Sequence, residues 1–262
     1  MTNLTVLDQA VLRLAMAQSS GVPCAPVRDL IPADDLDSAY RIQSALVARR
    51  IQAGAVRVGR KIGLTSIAVQ RQLGVDQPDF GVLLDDMAIT VGDSVPAGRV
   101  LQPKVEGEVA FILGADLDGE VTPETIRAAV ATAHAAIEIV DSRVAGWDIT
   151  IADTIADNAS SGLYVINEHG RPLEEVEPKN VTLKLTINSQ QASVGAGAAC
   201  LGDPLNALEW LARTAAHYGD PLRAGEVVLS GALGPMVGVL PGDEVSAEIS
   251  GLGTVSARFG ID

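Results

Sequence analysis

Aromatic side chains make up only 3% of this 262-residue chain, so its core has to be built from Val, Ile, Leu and Ala instead of large rings. Basic residues are scarce as well: 19 Lys and Arg against 33 Asp and Glu leave a formal charge of -14. Nucleic acid and anionic membranes are repelled at long range by such a surface, and neither is expected as a partner. An anionic small molecule needs a local positive site. The two cysteines, Cys24 and Cys200, stand far apart without CxxC or metal-ligand spacing, which excludes a disulfide framework and reads as two reduced thiols. No run stays apolar for the roughly 18 residues of a membrane span, and the N-terminus lacks a basic start followed by an apolar core. A soluble cytoplasmic protein is expected.

What the chain does have is 47% hydrophobic residues and 26 glycines, enough for one large core with many tight turns. Helical spacing of apolar residues runs from Leu4 to Ala17 and from Asp35 to Ala53, with a Pro-punctuated connector between. RVGRKIGLT, Arg57 to Thr65, is strand-like, and IAVQRQLG after it reads as a short helix closed by Gly74. From about Phe80 short β runs alternate with Gly, Pro and Asp, among them VEGEVAFIL, IEIVDS, GLYVI, VTLKLTI, EVVLSG and TVSARFG. Two helices interrupt them, one from Thr122-Pro123 to about Ala136, the other with Asp203 as N-cap, Pro204 first and Gly219 as terminator. The mixture predicts an α+β fold whose larger part is a rolled or sandwiched β-sheet.

KVEGEVAFIL, Lys104 to Leu113, places Glu106 and Glu108 on one face of an otherwise apolar strand. Burying two like charges so close costs several kcal/mol unless a cation or proton compensates. Glu138, in AAIEIVDS, is a third acid in an apolar run and can be turned toward the same cavity. Alternation alone fits two readings: edge-strand acids facing water, or a hard all-oxygen site for Mg²⁺ or Mn²⁺. The histidines, His134, His169 and His217, are read as lying outside these strands, which argues against zinc. Lys61, with Gly59 and Gly63 on its face, is either a surface lysine or one that a ligand can approach. Asp79 is either a turn aspartate or a general acid or base, and Asn158, Ser160 and Ser161 either cap backbone groups or bind a carboxylate. GKS, GKT and GxSxG are absent, which argues against a nucleotide P-loop and a serine nucleophile elbow.

Taken together, GRKIGLT, GVDQPDFGVLL, LQPKVEGEVAFIL, IEIVDSRVAGWDITIADTIADNASSG, LGDPLNALEWLA and GALGPMVGVLPGD resemble the 2-keto-4-pentenoate (2-hydroxypenta-2,4-dienoate) hydratases of the fumarylacetoacetate hydrolase superfamily. The resemblance spans roughly Ala39 to Phe259. It implies a mixed β-roll or sandwich with a smaller helical N-terminal part, divided into an α/β cap region, 1–78, and a catalytic β-roll, 79–262. It implies a divalent metal, Mg²⁺ or Mn²⁺, held by Glu106, Glu108 and Glu138. Lys61 and Asp79 match the active-site lysine and the acid on the segment covering the site, and Ser160 matches the serine that hydrogen-bonds the substrate carboxylate.

The implied activity is addition of water to a small anionic 2-hydroxydienoate, giving 4-hydroxy-2-oxopentanoate in the meta-cleavage catabolism of aromatics. A homo-oligomer, pentamer or decamer, is implied too. A 4-oxalocrotonate decarboxylase of the same superfamily is the alternative, and the acid at Asp79 together with GALGPM favours the hydratase over it. An acylpyruvate-type C–C hydrolase and a non-catalytic metal-binding β-roll are the further readings.

Overall fold

A computed structural model describes residues 4–66, 70 and 75–261. The chain opens with two helices, α1 (Val6–Ser20) and α2 (Leu36–Gln52). Thr5 and Asp8 form a reciprocal capping box on α1, and Asp35 caps α2 by accepting from the Ser38 N–H. β1 (Arg57–Gly63) and β2 (Asp79–Leu84) follow, and the short helix expected over 67–74 lies outside the described residues except for Gln70. After β3 (Ser94–Val95) come the long antiparallel strands β4 (Lys104–Leu113) and β5 (Val130–Val140), with α3 (Pro123–Ala129) between them. The later elements are α4 (Ile151–Ala156), β6 (Ser161–Ile166), β7 (Thr182–Ile187), β8 (Gln190–Ala196) and α5 (Pro204–His217). β9 (Val227–Ala232), β10 (Val237–Gly238), β11 (Glu244–Ile249) and β12 (Gly253–Phe259) complete the chain.

The strands form two sheets. A seven-stranded sheet has the order β2-β1-β9-β4-β5-β6, with β10 alongside β4, and a five-stranded sheet has the order β3-β12-β11-β7-β8. This is the expected α+β fold, with the two sheets packed on each other where β11 and β12 meet β5 and β7 meets β4. Gly107 shows how closely the sheets approach: a Cβ there would strike the Leu183 side chain of β7. Gly107 faces the second sheet, while its neighbours Glu106 and Glu108 face the opposite way. Four of the few aromatic rings, Tyr40, Phe80, Trp210 and Tyr218, cluster where α2 and α5 meet β2, away from the sheet interface.

Two expectations are corrected. The helix foreseen from Thr122 to about Ala136 stops at Ala129, and Val130 onward is strand. Alanine's helix preference is outweighed by pairing with β4 along its whole length, from Lys104 opposite Val140 to Leu113 opposite Val130. Small Ala133, Ala135 and Ala136 are fully buried there, so their size fits the interior of the sheet. His134 therefore lies on a strand, contrary to its expected place outside one. Its ring is already used, Nε2 lying 2.9 Å from the Thr132 hydroxyl and Nδ1 2.9 Å from the Asn167 carbonyl. The second correction concerns Asp79, which is the first residue of β2, opposite Gly63 and only 1% exposed, instead of part of a turn.

Candidate active site

Strand register brings the three glutamates together. Glu106 of β4 lies directly opposite Glu138 of β5, and Glu108, two residues along, keeps the same face. Each offers an oxygen within 4.8 Å of the others. Glu108 and Glu138 are buried, whereas Glu106 keeps some exposed surface although its carboxyl sits among the other acids. One oxygen of Glu108 accepts the Gly231 N–H at 2.8 Å. Gly231 has φ +105°, and a Cβ there would run into Thr65, so glycine alone lets this backbone approach the acid. The other Glu108 oxygen and both Glu138 oxygens have no hydrogen-bond partner among the described residues.

Lys61, on the neighbouring part of the sheet, comes within 3.2 Å of Glu138 Oε1. This is an ion contact outside hydrogen-bond geometry, and Lys61 Nζ donates instead to the Ala159 carbonyl at 3.0 Å. One ammonium does not balance three carboxylates. Burial, and then the neighbouring Glu138 charge, push Glu106 up to about 7, and the same causes push Glu108 well above its ordinary value. Orphaned oxygens converging on one point are the donor set a hard divalent cation takes, so Glu106, Glu108 and Glu138 fit Mg²⁺ or Mn²⁺.

Asp79 completes the charged group. Gly63, its cross-strand partner, has no Cβ, and one there would collide with Asp79 Oδ1 and approach Lys61 Nζ to 3.4 Å. Burial holds Asp79 above the usual carboxylate range despite nearby Lys61, and the Thr154 hydroxyl opposes that rise. Lys61 is driven the other way by burial, but the Glu138, Asp79, Glu106 and Glu108 charges outweigh it and keep the ammonium protonated above its ordinary value. Ser160 Oγ lies 3.1 Å from Thr154 Oγ1.

The six residues that the resemblance assigns to the site thus fall around one region. Three contributors were not foreseen: the Gly231 N–H, the Ala159 carbonyl and the Thr154 hydroxyl. Two are backbone groups, which leave no residue-type signal, and the third sits in a short helix whose spacing says nothing about β2. Asn158 and Ser161 proved to bind backbone groups, Asn158 at Val82 and Ser161 at the Asn158 carbonyl. A cavity of about 940 Å³ among Tyr40, Arg60, Phe80 and Tyr218 opens on the opposite face of β1 and β2 and is lined by neither the three glutamates nor Asp79.

Comparisons with known proteins place the chain as a whole. The fumarylacetoacetate (FAA) hydrolase C-terminal family profile matches residues 50–260. The 2-keto-4-pentenoate hydratase of Paraburkholderia xenovorans is 50% identical over 253 residues, 96% of this chain and 94% of that protein. The TodF product hydratase of Pseudomonas putida is 53% identical over 244 residues, 93% of this chain and 91% of its own length. Among solved structures, 4-oxalocrotonate decarboxylase from Pseudomonas putida G7, complexed with magnesium and adipate, gives a TM-score of 0.91 at 31% identity, over 98% of this chain and 99% of that one. A fumarylpyruvate hydrolase from Pseudomonas aeruginosa, at TM-score 0.61 and 16% identity over 79% of this chain and 91% of that one, shares the fold. With half its residues shared across nearly its full length, this chain belongs to the 2-keto-4-pentenoate hydratase family within the fumarylacetoacetate hydrolase superfamily.

Proposed function

We propose that the protein is a metal-dependent hydratase that converts 2-hydroxypenta-2,4-dienoate, through its 2-oxo form, into 4-hydroxy-2-oxopentanoate. The observation that carries this reading is the set of orphaned oxygens on Glu108 and Glu138 beside a charged lysine and a buried aspartic acid. A divalent cation held by Glu106, Glu108 and Glu138 would supply Lewis-acid charge toward the substrate's carboxylate and C2 oxygen.

The chain's own groups do the rest. Lys61, kept protonated, offsets the negative charge that develops at the C2 oxygen as the 2-hydroxyl proton leaves. Protonation of the dienol at C5 gives the 2-oxo-3-enoate, whose C4 is electrophilic. Water then adds, its oxygen at C4 and a proton at C3, for a net gain of one water. Asp79, buried and holding its proton more firmly than an ordinary carboxyl, gives or takes the proton at the distal carbon or at water. Ser160 hydrogen-bonds the substrate carboxylate. Catalysis takes place in a cytoplasmic homo-oligomer, a pentamer or decamer, whose size sedimentation would measure. No helix among the described residues is long and apolar enough to cross a membrane.

The test is metal-stripped protein with dienoate generated in situ and Mg²⁺ or Mn²⁺ restored, following loss of dienol absorbance and identifying the product by NMR. Metal-dependent 4-hydroxy-2-oxopentanoate is expected. An inert dienoate together with CO₂ release from 4-oxalocrotonate would replace the hydratase with the decarboxylase, and inactivity on both would overturn the enzymatic reading.

A further inference from the structure

Between α4 and β6 three consecutive non-glycine residues hold left-handed backbone: Asn158 at φ +55°, Ala159 at +52° and Ser160 at +51°. Each such residue costs about 1–2 kcal/mol, with Asn the most tolerant, so a run of three persists only where the surroundings hold it. The hold is visible. β2 is the end strand of its sheet, and at Val82 its outward backbone groups meet a side chain instead of another strand. Asn158 Oδ1 accepts the Val82 N–H at 2.8 Å, and Asn158 Nδ2 donates to the Val82 carbonyl at 2.9 Å. Only an amide of this length supplies both an acceptor and a donor here. Gly81 makes the approach possible, since a Cβ there would strike the Asn158 carbonyl and come within 2.6 Å of Ser161 Oγ.

The turn held in this way delivers two groups to the site. Its Ala159 carbonyl receives Lys61 Nζ at 3.0 Å, and its Ser160 hydroxyl meets Thr154 at 3.1 Å. Asp79 lies three residues before Val82 on the clamped strand. We infer that Asn158 is a positioning residue: its two-sided amide clamp fixes the spacing of Asp79 on β2 against Lys61 and Ser160, and itself makes no contact with the three glutamates. The inference rests on the roles proposed above for Lys61, Asp79 and Ser160.

Asn158→Gly and Asn158→Asp test it. Glycine keeps the left-handed backbone comfortable and removes the clamp; aspartate keeps the acceptor and removes the donor. Each variant is measured for kcat and KM on the dienoate, for Mn²⁺ binding by electron paramagnetic resonance, and for melting temperature. Misplacing reacting groups by about 1 Å can cost 10²-fold, so kcat/KM is expected to fall about 10- to 100-fold in Asn158→Gly, and less in Asn158→Asp. Mn²⁺ affinity should stay within about twofold of the parent, since the clamp touches no glutamate. Parental kcat and KM in both variants would overturn the inference, and so would Mn²⁺ affinity falling in step with turnover. Glu108→Gln, run in parallel, tells the two failures apart: if it is fully active the site reading itself falls and takes the inference with it, whereas an inactive Glu108→Gln beside unaffected Asn158 variants removes the clamp alone.

Discussion

Around Arg143 every buried carboxylate has partners. Asp157 accepts from the Arg143 backbone N–H at 2.9 Å and from its Nε, Asp141 accepts the Leu101 and Gln102 N–H groups, and Asp153 accepts from Val27, Arg28 and Thr150. Arg143 also donates to the Ser161 carbonyl at 2.7 Å. Around Glu138 the reverse holds: four acids face one lysine, and oxygens on Asp79, Glu108 and Glu138 have no hydrogen-bond partner among the described residues. Both clusters are about equally buried, so burial does not distinguish a structural charge network from a functional one. Satisfaction does, because a fold retains unpaired buried acids only where something outside the chain completes them.

The sharpest separation of the two clusters is Glu108→Gln. Removing one of three ligands should lower metal-dependent turnover by about 10³-fold or more, since a bound cation supplies several kcal/mol of charge stabilisation. The metal-free variant should melt no lower than the parent, because glutamine replaces a buried carboxyl whose ionised form burial and the neighbouring acids oppose. Turnover with Mn²⁺ restored reads the first effect and scanning calorimetry of the metal-free protein the second; full turnover would place the cation elsewhere.

The mirror experiment is Arg143→Met. Asp157 would then be buried without its counter-charge, at a cost of about 3–5 kcal/mol in urea unfolding, with or without metal. A loss under about 1 kcal/mol would put this network in the class of exposed ion pairs and end the contrast.

Sequence patterns made some of this legible and left the rest closed, for physical reasons. Glu106 and Glu108 share a face because of a period of two that any strand obeys, and Glu138 stands out as an acid in an apolar run. The capped starts of α2 and α5, at Asp35 and Asp203, are likewise written in local residue types. Val130 to Ala136 was not legible, because alanine favours helix and only pairing with β4 reverses that choice. The burial of Asp79 was hidden for the same reason: it depends on Gly63 across the strand pair and on the packing of α4 against β2. The satisfied network left the least trace, since Asp153 and Val27 meet across 126 residues of chain.

Asp79→Asn tests the member of the unsatisfied cluster placed outside the metal ligands. The amide keeps the shape and removes the proton, so kcat should fall about 10²-fold, the lower end for a general acid or base. Mn²⁺ affinity should remain at the parental value. Release of the metal instead would make Asp79 a ligand and enlarge the cluster's donor set.

The smallest effect expected is a pH dependence that belongs to one cluster only. Glu106 rises from 4.5 to about 7, and Glu108 and Asp79 are raised with it. A raised carboxyl binds its proton more tightly folded than unfolded, so in metal-free protein this contribution is most favourable below the ordinary value and is lost as pH climbs to about 7. Metal binding has the opposite sign, since a cation takes the ionised acids and releases their protons. Asp157, raised to about 6 by burial against the pull of Arg143, titrates in metal-free and metal-loaded protein alike and cancels in their difference. The gap in Tm between metal-saturated and metal-free protein should therefore widen as pH rises toward 7, by a few degrees, since about 1 kcal/mol moves Tm by about 2–4 °C at this size. A gap that stays constant with pH would mean that the glutamates are already ionised without metal, and that the charge imbalance separating the two clusters is compensated within the chain.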